Sequence, residues 1–143
     1  MNSNQYKELE KFYLEAPINK EFYPSKTALI DSDYCEISLK LKESYFHRFG
    51  ALHGSVYFNL LDDSAFFAVN SNSDGPIWVT TNLNVTLTRP VNQGKILAKG
   101  KVRSKSSNLI VAESTLYNEL GKEIGFATGN FMKSKATFSS YFK

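Results

Sequence analysis

The chain is poor in the residues that build disulfides, metal centres and histidine-based active sites. It holds one cysteine, Cys35, and two histidines, His47 and His53, among 143 residues. A lone cysteine cannot form an internal disulfide, and without spaced partners it predicts no zinc site. Cys35 lies in the alternating segment YCEISLKL, a pattern typical of a strand. We therefore expect no metal centre and no cofactor.

Long hydrophobic runs and a strong net charge are also missing. No apolar run approaches the about 18 residues that span a membrane. The N-terminal segment MNSNQYKELEKFY has no apolar core of a targeting signal, so we expect a cytoplasmic protein without a membrane partner. The formal net charge of +3 is too small to indicate nucleic acid, and no nucleic-acid-binding signature accompanies it.

The composition, 42% hydrophobic and 22% charged, is that of an ordinary globular chain. Its length suits a single domain over residues 1–143. Apolar residues repeat at helical spacing over residues 4–15, which predicts an N-terminal helix. Pro17 and Pro24 then predict a loop, and the alternation over residues 27–41 predicts one strand.

The segment HGSVYFNLLDDSAFFAV is the most apolar part of the chain, yet it carries Asp62 and Asp63 side by side. Its length and its lack of proline and internal glycine predict a buried helix from Gly54 to Asn70, beginning just after His53. Carboxylates are almost never fully buried unless they are paired or used. Asp63 points about 100° away from Asp62 around such a helix, and we expect it to be a supporting or solvent-reaching residue.

The second half of the chain predicts an antiparallel meander of four strands, near residues 77–88, 95–104, 109–117 and 123–133. Uninterrupted alternation in the first of these places Thr80 on a polar face with Asn82 and Asn84. A single long helix that is apolar on most sides needs cover on most sides, and a curved sheet can supply it. The fold class is therefore α+β, with a curved antiparallel sheet wrapped around one long central helix.

The segment HRFGALHGSVYFNLLDDSAFFA resembles a branch of the hot-dog fold, the acyl-CoA thioesterases of the 4-hydroxybenzoyl-CoA and phenylacetyl-CoA type. Gly50, His53 and Gly54 match the family's loop, and Asp62 follows His53 by the family's nine residues. The segments NLNVTLTRPV and GKEIGFATGNFM look like its third and last strands, so the resemblance covers about residues 27–134. The chain departs from the pattern at His47, where the family has asparagine, and at Ser55, where it has a second glycine.

This resemblance implies a hydrolase that cleaves acyl-CoA thioesters, with coenzyme A as part of the substrate. Asp62 would act either as a base on water or as a nucleophile. The helix start at Gly54 would polarise the carbonyl, and His53 would orient the loop or contact the thioester. His47 would replace the asparagine that holds the thioester or the water, and Thr80 would contact the water.

The resemblance also implies a homodimer joined at the third strand, with Asp62 of one subunit facing the His53–Gly54 turn of the other, and two dimers in a tetramer. Arg103, Lys105 and Ser106, with Ser55 near the turn, are the candidate substrate-binding residues for coenzyme A phosphates. The alternative for the basic residues is an ordinary solvated strand face. Six aromatic residues are candidates for an acyl pocket or for the core: Phe46, Phe49, Tyr57, Phe58, Phe66 and Phe67.

Two other functions stay open from the residues. A non-catalytic hot-dog protein that binds acyl-CoA would tolerate the departures at His47 and Ser55. A hot-dog dehydratase or hydratase is less favoured, because both histidines of this chain precede the long helix.

Overall fold

The computed structural model describes residues 2–73 and 75–142, and it confirms the α+β hot-dog architecture. Six antiparallel strands form one sheet in the order β1-β2-β4-β5-β6-β3, which places β1 and β3 at its two edges. The helices are α1 (Ser3–Leu14), α2 (Pro17–Phe22) and α3 (Gly54–Asn70). The strands are β1 (Thr27–Asp31), β2 (Tyr34–Lys40), β3 (Pro76–Leu87), β4 (Lys95–Lys105), β5 (Ile110–Tyr117) and β6 (Glu123–Thr137).

The N-terminal part differs from the sequence prediction in two places. The helix predicted over residues 4–15 is confirmed, but Pro17 starts helix α2 instead of a loop. Proline is well placed in a first helical turn, where its missing N–H would have no partner anyway. The single strand predicted over residues 27–41 is a hairpin of β1 and β2, because the chain turns at Ser32 and Asp33, whose φ is 56°.

Helix α3 has the predicted bounds and lies buried between the sheet and the N-terminal helices. Leu60, Leu61 and Ala65 are fully buried. The helix touches the sheet so closely at Gly100 of β4 that a Cβ there would lie 2.2 Å from the carbonyl oxygen of Ser64. None of the helices within residues 2–73 and 75–142 is long and apolar enough to cross a membrane.

Strand β3 contains a bulge that corrects the predicted alternation. Thr80 pairs with Phe131, whereas Asn82 pairs with the neighbouring Asn130, so Thr81 is the extra residue. An extra residue exchanges the two faces of a strand, because side chains alternate with period two. Thr80 therefore faces helix α3, and Asn82 lies on the other face of the strand. The unbroken alternation predicts both residues on one face, and the bulge makes that prediction wrong.

Asn70 at the end of α3 fixes the start of β3. Its side-chain amide donates to the carbonyl oxygen of Trp78 at 2.9 Å and accepts the N–H of Trp78 at 2.9 Å. The Trp78 ring is buried, and the ammonium of Lys133 lies 5.5 Å from its centroid. This two-point attachment sets the position of the strand two residues before Thr80.

The C-terminal aromatic residues dock on the N-terminal helix. Phe138 is buried, and the rings of Phe142 and Phe12 lie 4.9 Å apart. The segment after β6 therefore packs against α1.

Replacing Gly100 by alanine is expected to lower the free energy of unfolding by at least about 2 kcal/mol. The new Cβ would overlap backbone atoms of Ser64 and Ala65, which cannot rotate away. Gly75→Ala is the matched control, because a Cβ there meets no atom within 4 Å. Urea unfolding measures both variants, and equal losses would contradict the close approach of β4 to α3.

Candidate functional site

Asp62 lies on α3, half-buried, on the side that faces the edge strand β3. The hydroxyl of Thr80 donates a hydrogen bond to Asp62 Oδ1 at 2.9 Å. Burial raises the pKa of Asp62 above its usual value, the hydrogen bond from Thr80 opposes the rise, and the charge of Asp63 adds to it. A carboxylate with a raised pKa is better matched to taking a proton near neutral pH.

Asp63 has a different environment, as its place on the helix predicts. Its Oδ2 accepts a hydrogen bond from the Tyr13 hydroxyl at 2.6 Å and forms an ion pair with Lys26 Nζ at 3.3 Å. The Lys26 side chain is fully buried. No pattern in the sequence marks Lys26, because one lysine after Pro24 in a polar segment carries no periodic signal. Asp63 is therefore a supporting residue that joins α3 to the N-terminal segments.

The turn at His53 and Gly54 begins helix α3. Nδ1 of His53 accepts the N–H of Ser55 at 3.0 Å and lies 2.7 Å from the Ser55 hydroxyl. The N–H groups in a first helical turn have no partner within the helix, and the helix dipole adds positive potential there. Gly54 is the first residue of α3, so its N–H is free of intrahelical bonding and is suited to an oxyanion.

The protomer does not bring Asp62 and Gly54 together. Asp62 follows Gly54 by eight positions, which corresponds to about 12 Å along the helix axis and to about 80° around it. A carbonyl at the Gly54 N–H is therefore out of reach of the Asp62 carboxylate of the same chain. Both groups can act on one substrate only if another subunit supplies one of them.

His47 lies in a tight loop before α3 that an isolated bridge between Phe46 and Leu52 closes. Its Nδ1 accepts the N–H of Phe49 at 3.1 Å, which leaves Nε2 of the neutral ring as the donor. Gly50 turns the loop with a φ of 85°, and Phe49 at the tip is 95% exposed. The loop therefore holds His47 with one nitrogen fixed and one available.

A cavity of about 560 Å³ opens beside the His53–Gly54 turn. Aromatic side chains from α2 and from the segment after β2 form much of its wall, and the volume suits a small-molecule group. Its lining residues include Phe22, Tyr23, Lys42, Tyr45, Phe46, His53 and Ser55. Of the six predicted aromatic residues only Phe46 lines it: Tyr57 and Phe67 are core, Phe66 packs against the core, and Phe49 and Phe58 are exposed.

Three lysines of β4, Lys99, Lys101 and Lys105, form ion pairs with acidic neighbours. Lys101 lies 3.3 Å from Glu113 and Lys105 lies 2.6 Å from Asp33. The Ser106 hydroxyl is engaged in the turn after β4, where it bonds to both backbone groups of Leu109. Arg103 is exposed. Lys101 and Lys105 therefore share their charge with carboxylates, and Arg103, Lys105 and Ser106 lie close along the chain at the end of β4.

The described residues form no cluster of side chains typical of a metal-binding site. No group of three or more histidine, cysteine, aspartate or glutamate side chains gathers among them in a way that would hold a metal ion.

A family model described as the thioesterase superfamily matches residues 49–124, just over half of the chain. The chain belongs to the thioesterase superfamily. The matched region runs from the loop before α3 to the start of β6, so it contains Gly50, His53, Gly54 and Asp62. Membership supports thioester hydrolysis as the class of reaction.

Relatives and solved structures extend the likeness beyond the matched region of this thioesterase-superfamily chain. A protein of Saccharolobus solfataricus whose name makes it a candidate esterase is 26% identical over 87% of the chain and 89% of its own length. The Escherichia coli PaaI protein, from the phenylacetic acid degradation operon, superposes with a TM-score of 0.83 at 18% identity, covering 93% of this chain and 95% of that one. Zebra fish thioesterase superfamily member 2 gives a TM-score of 0.80 at 21% identity, over 94% and 99% of the two chains. These structural likenesses confirm the hot-dog fold.

Thr80→Val is expected to raise the pKa of Asp62 by about one unit, because the variant loses a hydrogen bond that stabilises the carboxylate. Thr80→Ser keeps the donor and should leave the value close to that of the original chain. NMR titration of the labelled Asp62 carboxyl measures both. An unchanged pKa in the valine variant would show that the hydroxyl does not stabilise the charge.

Proposed function

We propose that the protein is an acyl-CoA thioesterase, which hydrolyses the thioester of a coenzyme A ester to the free acid and coenzyme A. The observation that carries the proposal is the half-buried Asp62 carboxylate, held by Thr80 and raised in pKa by burial. The same chain, a member of the thioesterase superfamily, also has a free N–H at Gly54. One group is suited to a base and the other to an oxyanion donor.

The proposed reaction uses water as the nucleophile. The thioester carbonyl oxygen accepts the N–H of Gly54, and His47 and His53 hold the reacting group. Asp62 takes a proton from the water that Thr80 also contacts, and the new carbon–oxygen bond forms. The carbon–sulfur bond then breaks, and the sulfur of coenzyme A receives the proton. In the alternative route Asp62 attacks the carbonyl itself and forms an anhydride, which single turnover in ¹⁸O-labelled water would reveal as label in Asp62.

We propose that the active site is completed across a homodimer paired at β3. Three observations support this: β3 is an edge strand, Asp62 faces it, and Gly54 and Asp62 of one chain lie about 12 Å apart along α3. Exposed apolar side chains on the outer face beside this edge, Val79, Phe126 and Met132, support a further pairing of two such dimers into a tetramer.

We also propose where the substrate lies and where the protein works. The acyl group occupies the aromatic cavity beside the His53–Gly54 turn, with Ser55 at its wall. The coenzyme A phosphates bind near Arg103, Lys105 and Ser106, where an anion would compete with Asp33 for the ammonium of Lys105. In this proposal no cofactor, nucleic acid or membrane takes part, and the protein works in the cytoplasm.

Asp62→Asn is expected to lower kcat by roughly two to four orders of magnitude. The amide has nearly the same shape and cannot take the proton, so the fold should persist by circular dichroism. Release of coenzyme A thiol, followed with DTNB over a panel of aryl, medium-chain and long-chain esters, measures the rate. Asp31→Asn, an exposed change at the end of β1, is the control. Turnover equal to the original chain would remove Asp62 from the mechanism.

Gly54→Pro removes the proposed oxyanion donor while placing proline where helices favour it. His53 already has the extended backbone, with φ −66° and ψ 140°, that the residue before proline requires. We expect kcat to fall by about 100- to 1,000-fold.

Mixing the two inactive variants tests the shared site. Unfolding and refolding Asp62→Asn with Gly54→Pro should restore about one quarter of the original activity, because half of the dimers are mixed and each contains one intact site. Refolding each variant alone is the control. No recovery in a confirmed mixed dimer would place both groups in one subunit.

A non-catalytic protein that binds acyl-CoA is the second candidate. Two positions favour it, His47 and Ser55, where the chain departs from the thioesterase pattern. Measurable binding with no release of thiol above background from any ester would establish this alternative.

A further inference from the structure

A buried polar cluster behind Asp62 joins four segments of the chain. The ammonium of Lys26 lies within hydrogen-bond distance of four oxygen atoms: Tyr13 Oη at 2.7 Å, Asn19 Oδ1 at 2.8 Å, Asn59 Oδ1 at 2.6 Å and Asp63 Oδ2 at 3.3 Å. The rings of Tyr13 and Tyr23 lie 5.0 Å and 4.7 Å from the same nitrogen. The mechanism above uses none of these groups.

Burial lowers the pKa of Lys26, whereas the charge of Asp63 and the hydrogen bond to it raise that pKa, and the hydrogen-bond partners of Lys26 match its charged form. All four neighbouring oxygens can accept, and the three N–H groups of the ammonium are shared among them. The Tyr13 hydroxyl donates its own hydrogen bond to Asp63 at 2.6 Å. A neutral amine would leave its lone pair without a donor. Removing one partner of a buried pair leaves the other charge uncompensated, so the ammonium and the Asp63 carboxylate depend on each other.

Asp63 of this pair is adjacent to Asp62 in the chain and acts on its pKa. Asp63 is the following residue of α3, and its charge is one of the causes that raise the pKa of Asp62. The ammonium of Lys26 lies 3.3 Å from Asp63, so we expect its positive charge to oppose that effect. The cluster also ties the middle of α3 to α1 and α2 through Tyr13 and Asn19.

We propose that Lys26 and Asp63 are positioning residues for Asp62: the pair balances the charge beside the catalytic carboxylate and holds its turn of α3 against the N-terminal helices. The proposal rests on the proposed function for its kinetic readout. The N-terminal segments lie outside the region that the family model matches. Through Lys26 they would help to set the pKa of the Asp62 carboxyl.

Other titratable groups around the pair do not confuse the test. They come from α1, from the residue after α2 and from β2. Burial raises the pKa of the Tyr13 and Tyr23 phenols and of the Cys35 thiol, and the charge of Asp63 raises all three further. All three stay neutral in the acidic range. The remaining carboxylate, Glu10 on α1, accepts the N–H of Ile30 at 2.9 Å and is unchanged in every variant.

The experiment measures kcat/KM between about pH 4 and pH 9 in three variants. The quantity compared is the acid limb, the pH range in which kcat/KM falls as the catalytic base becomes protonated. Asp62 must be ionised to act as a base, so a higher pKa moves the limb to higher pH. Asp63→Asn removes a negative charge and should shift the limb down by about half a unit to one unit. Lys26→Met removes the compensating positive charge and should shift it up by a similar amount. The double variant removes both charges and should return the limb close to its original position.

A merely structural role predicts another result. Loosening the helices would lower kcat, or the melting temperature, without moving the limb in opposite directions. The Lys101→Met and Glu113→Gln variants are matched controls, because that pair is also 3.3 Å long but lies on the outer sheet face. Neither control should move the limb.

NMR titration of the Asp62 carboxyl repeats the test without turnover. If Lys26→Met does not fold, Asp63→Asn and the double variant still decide the matter. Opposite shifts that cancel support the proposal; shifts that are absent, or of the same sign, overturn it. Loss of the proposed function is seen separately, as unchanged activity in Asp62→Asn or as no thiol release from any ester.

Discussion

The burial of α3 against the sheet, where Leu60, Leu61 and Ala65 are fully enclosed, is the constraint on which the rest of the structure depends. The sheet touches the helix closely enough to require glycine at position 100, and α1 and α2 cover the side that the sheet leaves open. Burying a carboxylate is costly unless it is paired or hydrogen-bonded. Each of the two adjacent aspartates of this helix therefore needs its own partner, and the partners come from different segments: Thr80 of β3 for Asp62, and Tyr13 and Lys26 for Asp63.

The two partners differ in kind, and the chemistry of the two carboxylates differs with them. Asp63 meets a buried ammonium and a phenol, which fix its charge in a closed cluster. Asp62 meets one neutral hydroxyl, which leaves it half-buried and open to a reacting proton. A difference of one residue in sequence thus separates a carboxylate that holds the structure from one that is suited to catalysis.

The sequence predicted the central helix and the sheet because their signals are local. The apolar run after His53 defines α3 at both ends, and alternating residues with regular turns define the later strands. It could not predict the bulge at Thr81, since nothing in TTNLN distinguishes an interrupted alternation from a continuous one. The sequence also does not reveal the hairpin at Ser32 and Asp33, because the extended pattern on its two sides looks like one continuous strand. Lys26 was missed because its importance comes from residues distant in the chain, and the spacing of His53 and Asp62 was found through the family resemblance.

The attachment of β3 has a further use. Trp78 is the one tryptophan of the chain, it is buried, and Asn70 holds its backbone at both the N–H and the carbonyl. Its emission therefore reports on a single place, the junction where the end of α3 meets the strand that carries Thr80. A shift of that emission to longer wavelength would follow the opening of this junction, even where circular dichroism still registers the rest of the sheet as intact.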